Sequence, residues 1–144
     1  NAHRRQRQMC IRDRYNKLKN RETIKMIKVV MLMKRKPGMT IPDFRQYYEN
    51  NHRVIGEKYL NGFAVKYIRR FTNPLVDRSG NLTDPEYDVI MEVWYPDEDT
   101  LRACGEKLSE PDIAKEIHED EEKIFDTRYM RSYTVDEYES KLDI

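Results

Sequence analysis

Residues 87–95 read YDVIMEVWY, with Tyr87, Val89, Met91, Val93 and Tyr95 on one parity and Ile90 and Trp94 on the other. Successive side chains of an extended chain point to opposite faces, so the pattern predicts a strand with one apolar face and a second that is apolar in part. Pro96 ends it. Working outward, residues 62–71 (GFAVKYIRRF) put Phe63, Val65, Tyr67 and Phe71 on one parity with Ala64 and Ile68 on the other. Their aromatic and β-branched content favours a second strand. Residues 26–34 (MIKVVMLMK) alternate at first and are apolar on both parities by their end, which predicts a strand covered on both sides. Residues 129–135 (YMRSYTV) alternate as a final strand.

Helices are expected between these strands. Pro37-Gly38 breaks the first strand, and Thr40 with Asp43 three residues on reads as a capping box around Pro42, whose missing N–H costs nothing in a first turn. The spacing predicts a helix over 41–56 with Phe44, Tyr48 and Ile55 on its apolar face. Residues 97–108 form a helix showing Leu101, Cys104 and Leu108, weakened at its end by Gly105. A second capping box at Ser109 and Asp112, with Pro111 in the first turn, opens a helix whose stripe is Ile113, Ile117 and Ile124. Pro74, Ser79-Gly80 and Asp84-Pro85 mark 73–85 as an exposed loop, and 136–144 reads as a polar tail.

Strand, helix, strand, strand, helix pair, strand is the split βαβ order of an α+β, ferredoxin-like domain: a four-stranded antiparallel sheet with helices on one face. Apolar residues on both parities of the first three strands require cover on the other face too. The chain has nothing left to supply it, so a second copy is expected there, giving a homodimer that closes into a dimeric α/β barrel.

The 144 residues suit one domain, and hydrophobic residues are 38% of them, with no run of the roughly 18 apolar residues that a membrane span needs. The formal net charge of +1 conceals an asymmetry: residues 1–25 hold nine Lys/Arg against two Asp/Glu, and the rest carries a net −6. Tyr15 is the one aromatic in the basic stretch and the acidic body repels phosphate, so no nucleic-acid partner is expected. Residues 1–25 show no periodicity and read as a disordered flank. The run from Arg4 to Arg14 resembles translated adapter sequence; on that reading the flank is non-native and the domain, 26–144, starts at Met26. The opening lacks the apolar core of a secretory signal, so the cytoplasm is the expected compartment. Cys10 and Cys104 are too few for a disulfide framework, and Cys104 reads as a small buried hydrophobe. His3, His52 and His118 lie in three segments without ligand spacing, and glycine is too sparse for a phosphate cradle; neither a metal nor a cofactor is expected.

Residues 27–36 (IKVVMLMKRK), Pro37-Gly-Met-Thr40 and residues 43–52 (DFRQYYENNH) resemble the opening of an EthD-type domain of the dimeric α/β-barrel superfamily. Residues 87–95 resemble that family's strand ending in tryptophan. Residues 120–126 (DEEKIFD) resemble its acidic segment, with Ile124 where phenylalanine is usual. The resemblance implies a barrel dimer with a pocket between sheet and helices. It also implies chemistry of the kind associated with the family: oxidative breakdown of ethers, or dehydration or decarboxylation of aromatic polyketides, usually without an obvious cofactor.

At 100° per residue His52 falls about 60° to one side of Ile55, at the edge of the buried stripe. A histidine there can touch a cavity, and its pKa suits proton transfer; it could equally be a helix-end histidine bonded to a carbonyl. The match to the family's helix-end histidine favours the first role. Asp120 projects within the apolar arc of its helix and needs a partner. Arg69, Arg70, Arg128 or Arg131 would make it a structural ion pair; otherwise it orients His52 or takes a proton itself. The run Glu119 to Glu122 otherwise reads as a solvated face. Tyr48, Tyr67 and Trp94 are the candidate substrate-binding aromatics, with His52 and Asp120 the candidate catalytic pair. Together these features lead to an expected small-molecule enzyme, oxidoreductase-associated or of dehydratase type. It would act on a hydrophobic or aromatic oxygenated compound by acid/base chemistry at the pocket histidine. The alternative is a non-catalytic metabolite-binding module serving a partner oxygenase.

Overall fold

Strand β1 (Ile27–Met33) lies inside the sheet of the computed structural model, which describes residues 26–144. The expectations for the basic flank, His3 and Cys10 fall outside the described residues. The chain continues through α1 (Ile41–Tyr47), a π-helical turn (Tyr48–His52) and α2 (Arg53–Leu60) into β2 (Lys66–Phe71) and β3 (Val89–Tyr95). Helices α3 (Glu98–Leu108) and α4 (Pro111–Ile124) follow, then a 3₁₀ turn (Thr127–Tyr129) and β4 (Arg131–Thr134). The sheet order is β2-β3-β1-β4 with every pair antiparallel, which is the α+β, ferredoxin-like arrangement expected.

Register fixes what each face carries. Val29 pairs with Val93 and Met31 with Met91, while Lys28 pairs with Trp94, Val30 with Glu92 and Leu32 with Ile90. The first set faces the helices. There Met33, Phe44, Tyr48, Val89, Ile124 and Phe125 form one core cluster, and Leu60, Val93, Tyr95 and Cys104 form a second; Met91 packs against both. Cys104 is fully buried.

Two helix boundaries differ from expectation for identifiable reasons. The first helical stretch runs past Gly56 to Leu60, and the glycine that ends it is Gly62, whose φ of +89° favours a residue without a Cβ. Gly56 is instead a packing glycine: a Cβ there would lie 2.8 Å from the Tyr67 hydroxyl oxygen. The second capping box does not form, because Ser109 keeps helical backbone angles and its hydroxyl donates to the Gly105 carbonyl, closing α3. Glu110 therefore stands at the N-cap of α4 without a side-chain capping bond, and Pro111 occupies the first turn. At Thr40 the first half of the expected box forms, the hydroxyl accepting from the Asp43 N–H at 3.2 Å.

Candidate functional site

The π-helical turn sets the geometry. Residues four apart on an α-helix drift by about 40° per step, so Phe44, Tyr48 and His52 would rotate progressively out of the core. The turn takes up one extra residue: the Arg53 N–H bonds to the Tyr48 carbonyl, five residues back. Tyr48 thereby stays fully buried while His52, four residues on, reaches the inner side with its side chain 12% exposed. The imidazole sits edge-on to the rings of Tyr48 and Phe125, at centroid distances of 5.0 and 5.1 Å.

Helix α4 completes the arrangement. Asp120 comes within 2.8 Å of His52 Nδ1 through Oδ2, and the Tyr47 hydroxyl donates to its Oδ1 at 2.6 Å. A carboxylate only accepts, so this bond places the imidazole proton on Nδ1 and leaves the Nε2 lone pair free. Among the described residues nothing bonds Nε2. Burial pushes the His52 pKa below its ordinary value, with Asp120 acting against that shift, so the ring is neutral at neutral pH. The Tyr47 hydroxyl is pushed up to about 12 by burial and by its bond to Asp120, and it stays a donor.

His52 lines a cavity of about 200 Å³ between sheet and helices, walled by Val29, Met31, Met91, Ile55 and Ile117. Two larger clefts are more open: one near Pro96, lined by Met26, Ile27, Leu101 and Val135 with Asp97, Glu98 and Arg102 among them, and one near Pro37, lined largely by charged and loop residues. Tyr67 and Tyr95 also reach the cavity; the Tyr67 hydroxyl lies 3.4 Å from that of Tyr48, and the Tyr95 hydroxyl donates to Cys104 Sγ at 3.6 Å. Burial raises the pKa of Tyr48, Tyr67 and Tyr95, so these hydroxyls stay protonated.

The structure thus brings His52, Asp120 and Tyr67 together, with two adjustments. Tyr48 backs the histidine rather than lining the cavity. Asp120 stands behind the ring as its orienting partner, and none of the four candidate arginines binds it: Arg69 pairs with Glu49, Arg70 with Glu92, Arg128 with Asp126, and Arg131 donates to backbone carbonyls. Trp94 is a correction. Its position in β3 has the opposite parity to Met91 and Val93, which puts it on the open face of the sheet. There its Nε1 donates to Glu92 at 2.6 Å, with Lys28 and Lys66 over the ring at 3.7 and 4.3 Å. It cannot reach the cavity.

Glu121, in sequence a member of the run expected to be solvated, is a cavity residue. It lines the cavity beside Ile117, four residues earlier on the same face of α4. The signal was present: at 100° per residue it sits about 60° from Ile124, the offset that drew attention to His52. Among the described residues no group of His, Cys, Asp and Glu comes together in a way that could hold a metal ion. No helix there is long and apolar enough to cross a membrane.

Solved structures with a similar fold include three at low sequence identity. An ethyl tert-butyl ether D (EthD) family protein from Bacillus halodurans superposes with a TM-score of 0.55 at 16% identity, over 79% of this chain and all of that one. A NIPSNAP-like domain protein from Burkholderia xenovorans gives 0.53 at 14% identity, over 84% of this chain and 92% of that one. A dimeric ferredoxin-like protein of unknown function from Thermobifida fusca gives 0.50 at 15% identity, over 76% and 89%. These likenesses establish the fold. No curated protein matches the sequence. The EthD domain model matches residues 36–128, a span that holds the π-helical turn, His52, Asp120 and Glu121, and the chain belongs to the EthD-domain family.

Proposed function

We propose that the chain binds a small hydrophobic or aromatic, oxygen-bearing compound beside His52 and moves a proton through Nε2. The observation that carries this reading is the Tyr47–Asp120–His52 hydrogen-bond chain ending on an apolar cavity. A cavity of about 150 Å³ is enough to bind benzene. One of about 200 Å³ suits a ring with substituents. Inside it a neutral imidazole is a base, and Asp120 stabilises the imidazolium that forms when Nε2 takes a proton.

The chemistry this arrangement serves best is elimination. A C–H bond made acidic by a neighbouring carbonyl breaks toward Nε2, a carbon–carbon double bond forms, and the β-oxygen leaves as water after taking a proton. No electron acceptor enters the balance. The proposal also includes a cytoplasmic homodimer joined through the open sheet face, where Val30, Leu32, Ile68 and Ile90 are half-buried in the single chain.

A direct test uses aromatic β-hydroxy ketones such as 3-hydroxy-1-tetralone, whose dehydration yields fluorescent 1-naphthol. Turnover by the full chain that falls by about 10²- to 10⁴-fold in His52→Asn supports the proposal. Turnover unchanged by that substitution overturns the role of His52. Tight binding without turnover across the panel favours the metabolite-binding alternative.

A further inference from the structure

Glu121 stands in an unusual position for a carboxyl group. It faces a cavity with mainly apolar walls, and among the described residues no side chain bonds or pairs with it. Its neighbours on α4 aggravate the situation, since Asp120 and Glu122 are acidic and only His118, which is exposed, opposes them. From the other elements the titratable groups lining the same cavity are His52, Tyr59, Tyr67 and Tyr95. None of them supplies a permanent positive charge, and the Tyr59 hydroxyl is committed to Glu116. A structural carboxylate in this protein looks different: Asp88 and Asp126 each hold an arginine partner.

We propose that Glu121 is the second proton-carrying group of the cavity, donating its carboxyl proton to an oxygen of the bound ligand while His52 accepts a proton at another position. The proposal rests on the cavity reading above and extends it. Burial, more than the nearby acidic groups, raises the Glu121 pKa from its ordinary value, which favours the protonated form as a donor. In the elimination, the substrate C–H proton goes to Nε2, the Glu121 proton goes to the departing hydroxyl to give water, and the C–O electron pair leaves with that oxygen. Proton exchange with solvent then resets the imidazolium and the carboxylate. The ligand class narrows accordingly: one ring system with an oxygen acceptor placed for Glu121 in addition to the acidic position at His52.

The test measures 1-naphthol binding to the full chain as a function of pH, by ligand fluorescence, for the unmodified protein and for Glu121→Gln. Glutamine keeps the shape and carries no charge at any pH. The expected result is an affinity that falls several-fold as pH rises through the Glu121 titration in the unmodified protein and stays flat over that range in Glu121→Gln. ¹³C-carboxyl NMR, assigned by the signal lost in that variant, should place the Glu121 midpoint above those of the exposed glutamates. Pocket binding with the same pH profile in both proteins overturns the role of Glu121 and leaves the His52 reading standing. Absence of binding at every pH, with the His52 ring signals unmoved by naphthol, overturns both. If Glu121→Gln does not fold, the NMR midpoint decides, read from Glu121→Asp as the assigning variant: a midpoint among the exposed glutamates overturns the proposal.

Discussion

Asp120 and Glu92 are both buried carboxylates, one behind each face of the same sheet, and their partners separate their roles. Glu92 accepts from Arg70 and from Trp94 Nε1, with Lys28 close by. Burial alone would raise its pKa, but these partners outweigh it and hold the carboxyl below its ordinary value. Asp120 has no such cation. Its partners are a tyrosine hydroxyl and an imidazole whose charge depends on pH. A buried charge held by fixed cations is settled whatever happens nearby; one held by a titratable ring is coupled to that ring's proton. Under the proposed function, this difference makes the helix side the one that moves a proton.

Removing one polar group from each face and following turnover separates the two roles. His52→Asn should lower kcat by about 10²- to 10⁴-fold with the far-UV circular dichroism unchanged, the usual loss of a general acid or base. Glu92→Gln should leave kcat within a few-fold. Equal losses in the two variants would mean that the open face also serves the reaction.

The open face has its own expected function. Leu32→Glu places a charge among Val30, Ile68 and Ile90, and light scattering should then report a 17.5 kDa monomer where the unmodified protein gives twice that mass. A monomer in the unmodified protein at micromolar concentration would remove the dimer from the proposal.

Much of this was legible in the chain, and the reasons are local. Strand parity at 87–95 and 26–34 gave the sheet and its two-sided apolar character, since alternation is enforced by the backbone itself. The same parity argues against Trp94 as a cavity residue: Val93 and Tyr95 flank it and face the helices, so it must face away. The π-helical turn was not legible, because its extra residue leaves no compositional mark, and the helix simply continued past Gly56. Gly56 stood at the expected helix end, but its reason is the Tyr67 ring, which meets it only once β2 is laid across α2. Asp120 was visible as a carboxylate on an apolar stripe, but its choice of His52 over four arginines depends on which strand faces which helix. Glu121 was hidden by its acidic neighbours, which made the whole run look solvated.

Asp120→Ala should have a smaller effect on the fold, leaving the Tyr47 hydroxyl and His52 Nδ1 unpartnered in a half-buried site. Such a loss costs about 1–3 kcal/mol, measurable as a lower urea midpoint. Asp120 acts to raise the His52 pKa against burial, so its removal should move the imidazole midpoint further down, as read by NMR. An upward movement would mean that Asp120 is not the histidine's partner in solution.

The smallest effect separates the two faces by pH. His52 is depressed from 6.5 by burial, so the unfolded chain binds its proton more readily than the folded one. Its contribution to stability is therefore present above that value and is lost as pH falls from about 6.5 through the folded midpoint. Glu92 is depressed from 4.5, so its contribution has the same sign but begins to disappear only below that value. Urea titrations between pH 7 and pH 3 should accordingly show two successive losses of stability, the first absent in His52→Asn and the second reduced in Glu92→Gln. A first loss that persists in His52→Asn would assign it to some other group and would leave the neutral, buried imidazole without support.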